Sequence, residues 1–166
     1  MNEHQFGQLL DKAQYYEEHR EWLHASQYYL RILRAQPGLS DIAVRLSGVY
    51  AEMGNIAAAE QVLLNALGRD SGNPDLLFAL GRIFYRAEDL DKALYYFEQL
   101  IPHRIPQAHH TIGLIQYQKE QYVKAERHLL RAFELDPANT GVHTILAETL
   151  LKNGKPQRAI EVHLVH

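Results

Sequence analysis

The sequence predicts an all-helical fold, a stack of about five antiparallel helix pairs, and three observations predict it. Small side chains recur at a fixed interval, Ala13, Ser47, Gly81, Gly113 and Ala147 lying 34, 34, 32 and 34 residues apart. Twelve residues after each comes an alanine: Ala25, Ala59, Ala93, Ala125 and Ala159. Between these points the apolar residues keep helical spacing, interrupted by short polar stretches such as "EMGN", "AED" and "KNGK", and no segment reads as a strand. Periods of roughly 20–50 residues mark stacked repeats, in which each hairpin buries its apolar face only against its neighbours.

Each element has its own justification. Bulky residues flank the small ones: Tyr16, Tyr50, Phe84, Gln116 and Leu150 follow the first small position, and Tyr29, Leu63, Phe97, Leu129 and His163 follow the second. The small residues belong where two helices cross closely, and the large ones fill the sides of the crossing. Ser40 before "DIAVRL", Asn73-Pro74 before "DLLFAL" and Asn139 before "TGVHTIL" supply N-cap chemistry, with Pro74 in the first helical position. Pro37 and Pro137 stop the second helices of their repeats. The repeats span approximately 6–39, 40–73, 74–105, 106–139 and 140–166, the last one incomplete. The third is two residues short and runs into "IPHRIPQ", where Pro102 and Pro106 predict a helix end near Ile101 and a local change in stacking. The chain stops at "AIEVHLVH", inside a second helix, which reads as a fragment of a longer protein or an open end covered by another subunit.

Composition bounds the function. With 166 residues, 46% hydrophobic and 22% charged, the chain can bury a core. The net charge of −3 offers no global field for nucleic acid or acidic membranes. Residues 1–73 carry six Lys/Arg against nine Asp/Glu, and residues 74–166 eleven against eleven. Without cysteine there are neither disulfides nor thiolate metal sites. The N-terminus "MNEHQFGQLLDKAQ" is not a secretory signal, and no apolar run approaches the roughly 20 residues of a membrane span, so a cytoplasmic chain is expected.

These residues resemble the tetratricopeptide repeat family. Its pattern of small residue, aromatic, alanine, bulky residue and proline is met by Ala13, Tyr16, Ala25, Tyr29 and Pro37, then by Ser47, Tyr50, Gly54, Ala59 and Ala66. It continues through Gly81, Phe84, Ala93 and Phe97, then Gly113, Ala125, Ala132 and Pro137, then Ala147, Gly154 and Ala159. Ser71 stands where proline is usual, and Gln116 where an aromatic is usual. The resemblance covers residues 6 to 166 and implies a right-handed superhelical solenoid with a hollow inner wall.

Chemistry is scarce. No P-loop, dinucleotide fingerprint, HExxH sequence or nucleophile elbow occurs, and the serines at 26, 40, 47 and 71 are scattered, so no enzyme and no cofactor is expected. Ten histidines invite a metal reading: His109-His110 point about 100° apart on a helix, His163 and His166 could share an ion, and His109 and His143 could stack across neighbouring repeats. Nothing joins them at ligand spacing, and no metal site is expected. Balanced charge argues against RNA.

The resemblance implies that first helices line a concave groove. Carried over, its ligand-facing positions fall on Leu10, Gln14, Glu17, Glu18, Asp41, Val44 and Glu52 in the first two repeats, an acidic start, and on Asp75 at the head of the third. The centre carries Phe78, Arg82, Tyr85 and Arg86, followed by His110, Leu114, Tyr117 and Gln118, then Glu148 and Lys152. Arg and Tyr dominate binding hot spots, and guanidinium forks onto carboxylate. The expected role is therefore a non-enzymatic scaffold taking a partner protein or peptide with an acidic group, with no nucleic-acid or membrane partner. Arg82 and Arg86 could instead serve internal salt bridges to Asp75 or Glu148. The chaperone-tail clamp of some family members is not matched by Leu10, Gln14, Arg45, Asp75 and Ala79. The runner-up is an accessory module of a larger, catalytic polypeptide such as a transferase; a third reading is self-association through the last repeat.

Overall fold

The computed structural model describes residues 1–164, with side chains to Val162. Ten α-helices run in order among the described residues, and none of those residues forms a strand. They are α1 (Glu3–Glu18), α2 (Trp22–Ala35), α3 (Ser40–Glu52), α4 (Ile56–Leu67), α5 (Pro74–Arg86), α6 (Leu90–Glu98), α7 (Pro106–Gln118), α8 (Tyr122–Leu135), α9 (Thr140–Lys152) and α10 (Pro156–Leu164). The chain forms two compact units, Met1–Ala93 and Leu94–His166.

In the N-terminal unit α1 packs on α2, α2 on α3, α3 on α4, and both α3 and α4 on α5. Its core holds Ala13, Ala25, Tyr29, Ile32, Ile42, Leu46 and Val49. The C-terminal unit pairs α7 with α8, α8 with α9 and α9 with α10, around Ala125, Leu129, Leu146, Ala147, Leu150 and Ala159.

All ten recurring small residues are buried. Gly113 shows why. A Cβ added there would lie 2.6 Å from Leu129 Cγ and 2.7 Å from Leu129 Cδ2, with the Ala125 carbonyl at 3.5 Å. The glycine of α7 thus rests on the alanine of α8 and on the bulky residue one turn later, so three of the recurring positions meet in one crossing. Where serine takes the small position, its hydroxyl is used up locally: Ser47 Oγ donates to the Val44 carbonyl at 2.7 Å.

The turn inside each helix pair repeats too. Arg20, Gly54, Glu88, Glu120 and Gly154 all have positive φ, between 57° and 74°. The amide one residue later returns to a carbonyl five residues back: Glu21 to Tyr16, Asn55 to Tyr50, Asp89 to Phe84, Gln121 to Gln116 and Lys155 to Leu150, at 2.8–3.0 Å. This closes the first helix with a Schellman-type end, a geometry that favours glycine. Glycine supplies it at Gly54 and Gly154; arginine and glutamate are forced into it elsewhere.

Helix starts agree at Asn73, whose side chain accepts from the Asp75 and Leu76 amides, and at Asn139, which accepts from Val142. Ser40 differs. It is already helical, Leu39 holds the cap position without a side-chain bond, and the Ser40 hydroxyl reaches the Asp70 carboxylate at 3.4 Å. The end of α6 also differs from the expected Ile101: the helix stops at Glu98 after 9 residues, followed by a 3-10 turn over Ile101–His103 and Arg104 at φ 55°. Pro106 holds Ile105 extended (φ −82°, ψ 115°), so the connection cannot be helical and is built from the end of α6.

One ionic latch ties α8 to the last helix pair. Glu126, with 8% of its side chain exposed, takes both carboxylate oxygens to Lys155 Nζ at 2.8 Å. It also accepts from Asn153 Nδ2 at 2.7 Å and Arg158 at 3.3 Å. Burial alone would raise its pKa, but Lys155, Asn153 and Arg158 together outweigh that and hold it below the usual carboxylate value.

Two measurements check these points. Gly113→Val is expected to cost about 1–3 kcal/mol of unfolding free energy, because Leu129 must leave its rotamer. Gly48→Ala, in α3 with nothing within 4 Å of the added Cβ, is expected to gain up to about 1 kcal/mol from helix propensity. Urea titration reads both signs. Glu126→Gln is expected to cost about 1–3 kcal/mol at neutral pH. The folded pKa is depressed, so the latch contributes fully above the unfolded carboxylate pKa and is lost as pH falls through the folded one. The gap between wild type and Glu126→Gln should therefore be constant from neutral pH down to about 5 and close under stronger acid.

Candidate functional site

First-helix side chains of the N-terminal unit come from α1, α3 and α5. On α1 and α3, Gln14, Glu17, Glu18 and Arg45 surround an open hollow of about 420 Å³. Its acidity is partly spent. Glu17 accepts a short hydrogen bond from the buried Tyr29 hydroxyl and pairs with Arg45 at 3.5 Å. Burial, then the hydrogen bond and charge of Glu17, push the Tyr29 pKa well above that of a free phenol. The hydroxyl therefore stays a donor and fixes the carboxylate.

Between α3 and α5 lies a cleft of about 70 Å³ lined by Val44, Ser47, Gly48, Ala51, Ala79, Arg82, Ile83 and Arg86. The structure thus brings Arg82 and Arg86 together at one cleft. Phe78 and Tyr85, half-buried on the same helix, are not among its lining residues. Arg86 pairs with Glu52 at 2.7 Å, both about half exposed, rather than with Asp75 or Glu148 as the internal-bridge expectation had it. The reason is register: Glu52 and Arg86 are 34 residues apart, one repeat, so they stand side by side on adjacent first helices. Arg82 is exposed and has no ion-pair partner among the described residues.

In the C-terminal unit His110, Leu114 and Tyr117 are half-buried on α7 and Gln118 is exposed, while Glu148 and Lys152 are exposed on α9. Burial lowers the His110 pKa. Tyr117 meets Tyr122 edge-on at 5.3 Å, and Lys152 Nζ stands 6.0 Å above the Tyr122 ring. Tyr122, which the sequence reading passed over, is what joins Tyr117 and Lys152.

The histidines form one pairing that the sequence expectation did not include. His109 faces His128 of its own helix pair, Nδ1 to Nδ1 at 3.1 Å. His143 donates from Nε2 to the Pro137 carbonyl at 2.6 Å and meets Phe133 edge-on. Burial and the nearby Arg131 lower the His109 pKa, and burial, His109 and Arg127 push His128 down to about 4. Two neutral rings result, one donating to the other. Among the described residues no group of three His, Asp or Glu could hold a metal ion, and the His163–His166 pairing lies outside the described side chains. No helix among them is long and apolar enough to cross a membrane.

Two family models described as tetratricopeptide repeat match the chain, one over residues 48–109 and the other over 106–139, together more than half of it. The chain belongs to the tetratricopeptide repeat family. MamA from Desulfovibrio magneticus RS-1 is similar in structure, with a TM-score of 0.79 at 17% identity over 96% of this chain and 91% of that one. PilF of Pseudomonas aeruginosa gives 0.79 at 18% identity, over 95% of this chain and 72% of that one. A tetratricopeptide repeat protein from Parabacteroides merdae gives 0.79 at 17%, over 94% and 64%. These likenesses establish the tetratricopeptide-repeat solenoid fold. No curated protein matches the sequence.

For this tetratricopeptide chain the site arginines are expected to be removable without unfolding. Arg82→Ala should shift stability by no more than about 0.5 kcal/mol, and Arg86→Ala by about 0–1 kcal/mol, since its partner pair is half solvated. Thermal melts followed by circular dichroism check this.

Proposed function

We propose that the chain is a protein–protein interaction scaffold without catalysis of its own, and that it takes a partner protein or peptide along the first-helix faces of its repeats. The observation that carries the reading is Arg82, an exposed guanidinium without an ion pair among the described residues, lining a cleft and on the same helix as Phe78 and Tyr85. A guanidinium left unpaired on a folded surface can accept a carboxylate in a bidentate fork, and an aromatic a turn away adds area that excludes water. Arg86, held by Glu52, is offered only by breaking an existing pair, so Arg82 is the stronger anchor of the two. The occupant this chemistry suits is an extended or helical peptide with an acidic side chain or a C-terminal carboxylate. On the C-terminal unit, Leu114, Tyr117, Gln118, His110, Glu148 and Lys152 present a mixed polar and aromatic face of the same kind.

The test is selection of a displayed random-peptide library on the immobilised chain. Peptides that bind are expected to lose about tenfold or more in affinity on Arg82→Ala with Tyr85→Ala, and on Arg82→Glu alone, while the helical circular dichroism stays unchanged. Undiminished binding to both variants would defeat the first-helix reading.

A further inference from the structure

A second groove lies on the opposite set of helices. In the N-terminal unit, α2 and α4, each packed on α3, flank a surface trough of about 570 Å³. Leu30 and Leu33 of α2 and Val62 and Leu64 of α4 line it, with Arg34 and Arg69 in the same lining. We propose that this trough is a docking site for a peptide segment that combines aliphatic side chains with a carboxylate.

The argument is one of complementarity. Leu30, Leu33 and Val62 pack against the core on one side and line the trough on the other, while Leu64 is 38% exposed. An aliphatic lining of this kind gains from covering, because apolar surface leaves water. No acidic residue is among the lining residues. Both arginines are exposed, and neither guanidinium has a hydrogen bond or ion pair among the described residues. The carboxylate next in sequence, Asp70, is occupied by Asn73 Nδ2 at 2.6 Å and by the Ser40 hydroxyl at 3.4 Å. Two unpartnered guanidinium groups beside an aliphatic trough match a ligand that brings its own carboxylate together with Leu, Ile or Val side chains. Arg34 occupies the last turn of α2, where it also complements the helix dipole. Arg69, beyond the end of α4, has no such role inside a helix.

The same displayed library supplies the probes. Selection on the full chain is expected to enrich segments with Asp or Glu beside aliphatic residues. Synthetic copies should lose about tenfold or more in affinity on Arg34→Glu with Arg69→Glu, and on Leu64→Glu. All three positions are exposed, so an unchanged melting curve shows that the variants fold. Lys124→Glu with Arg127→Glu, two exposed cations of the C-terminal unit, serves as the charge-matched control and should leave affinity unaltered. The proposal is overturned if no selected peptide senses the Arg34/Arg69 reversal, or if replacing the peptide acids by Asn and Gln changes nothing. It is also overturned if the reversal alters self-association in light scattering, which would give the trough to a second copy of the chain. Peptides that respond to Arg82→Glu alone support only the first-helix site, so the two readings can fail separately.

Discussion

How closely two helices of one hairpin can pass sets everything else in this chain. Gly113 lies against Ala125 and Leu129 with no room for a methyl group, and equivalent small residues are buried in every other pair. Side chains of ordinary size there would push the helices apart and open voids beside Tyr29, Leu63 and Leu129, all fully buried. The turn follows from the same constraint. A hairpin this tight must reverse within a few residues, and the positive-φ position after each first helix does so, whether glycine, arginine or glutamate occupies it. Backbone strain at Arg20, Glu88, Arg104 and Glu120 is of order 1 kcal/mol each; the burial it permits is worth more.

Repetition then organises the charges. Residues one period apart stand next to each other on adjacent helices, so opposite charges at one repeat position become an ion pair. Glu52 and Arg86 do this on first helices. On second helices the carboxylate just after a repeat's alanine meets the cation just before the next repeat's alanine. Glu60 reaches Lys92 at 4.0 Å, and Glu126 reaches Arg158 at 3.3 Å. The two pairs differ in what surrounds them. Lys92 also stands over the Phe84 ring at 4.6 Å, whereas Glu126 is buried and collects Lys155 and Asn153 as well. The first is a surface contact of small energy, the second a latch.

Helix pairs, their crossings and most of their ends were legible because they depend on local spacing and on the backbone chemistry of Asn, Pro and Gly. Ser40 misled because its cap signal is local, while the acceptor it uses, Asp70, is thirty residues away. The end of α6 misled because a proline forbids helix without saying how many residues before it must unwind. His109 and His128 went unpaired in the sequence because they sit nineteen residues apart on different helices of one hairpin, a separation that follows neither the helical period nor the repeat. Glu52 and Arg86, by contrast, were readable in principle: opposite signs at one repeat position are visible without coordinates. Phe78, Arg82, Tyr85 and Arg86 share α5, but helical position alone could not say that Arg86 is engaged and Arg82 is not.

That difference has a physical origin in the neighbouring repeat. Arg86 has Glu52 one period before it, and the two neutralise each other. One period before Arg82 stands Gly48, which has no side chain to offer. One period after Arg34 stands Gly68, and one period before Arg69 stands Ala35. Arg82 and Gly48 line one cleft, and Arg34 and Gly68 line one trough, so these two arginines stand near positions with no side chain to pair with. Such a guanidinium has no ion pair among the described residues and keeps the entropy and solvation of a free one. Positive charge is thus exposed beside apolar surface, on α5 at Arg82 and at the trough lined by α2 and α4 at Arg34 and Arg69.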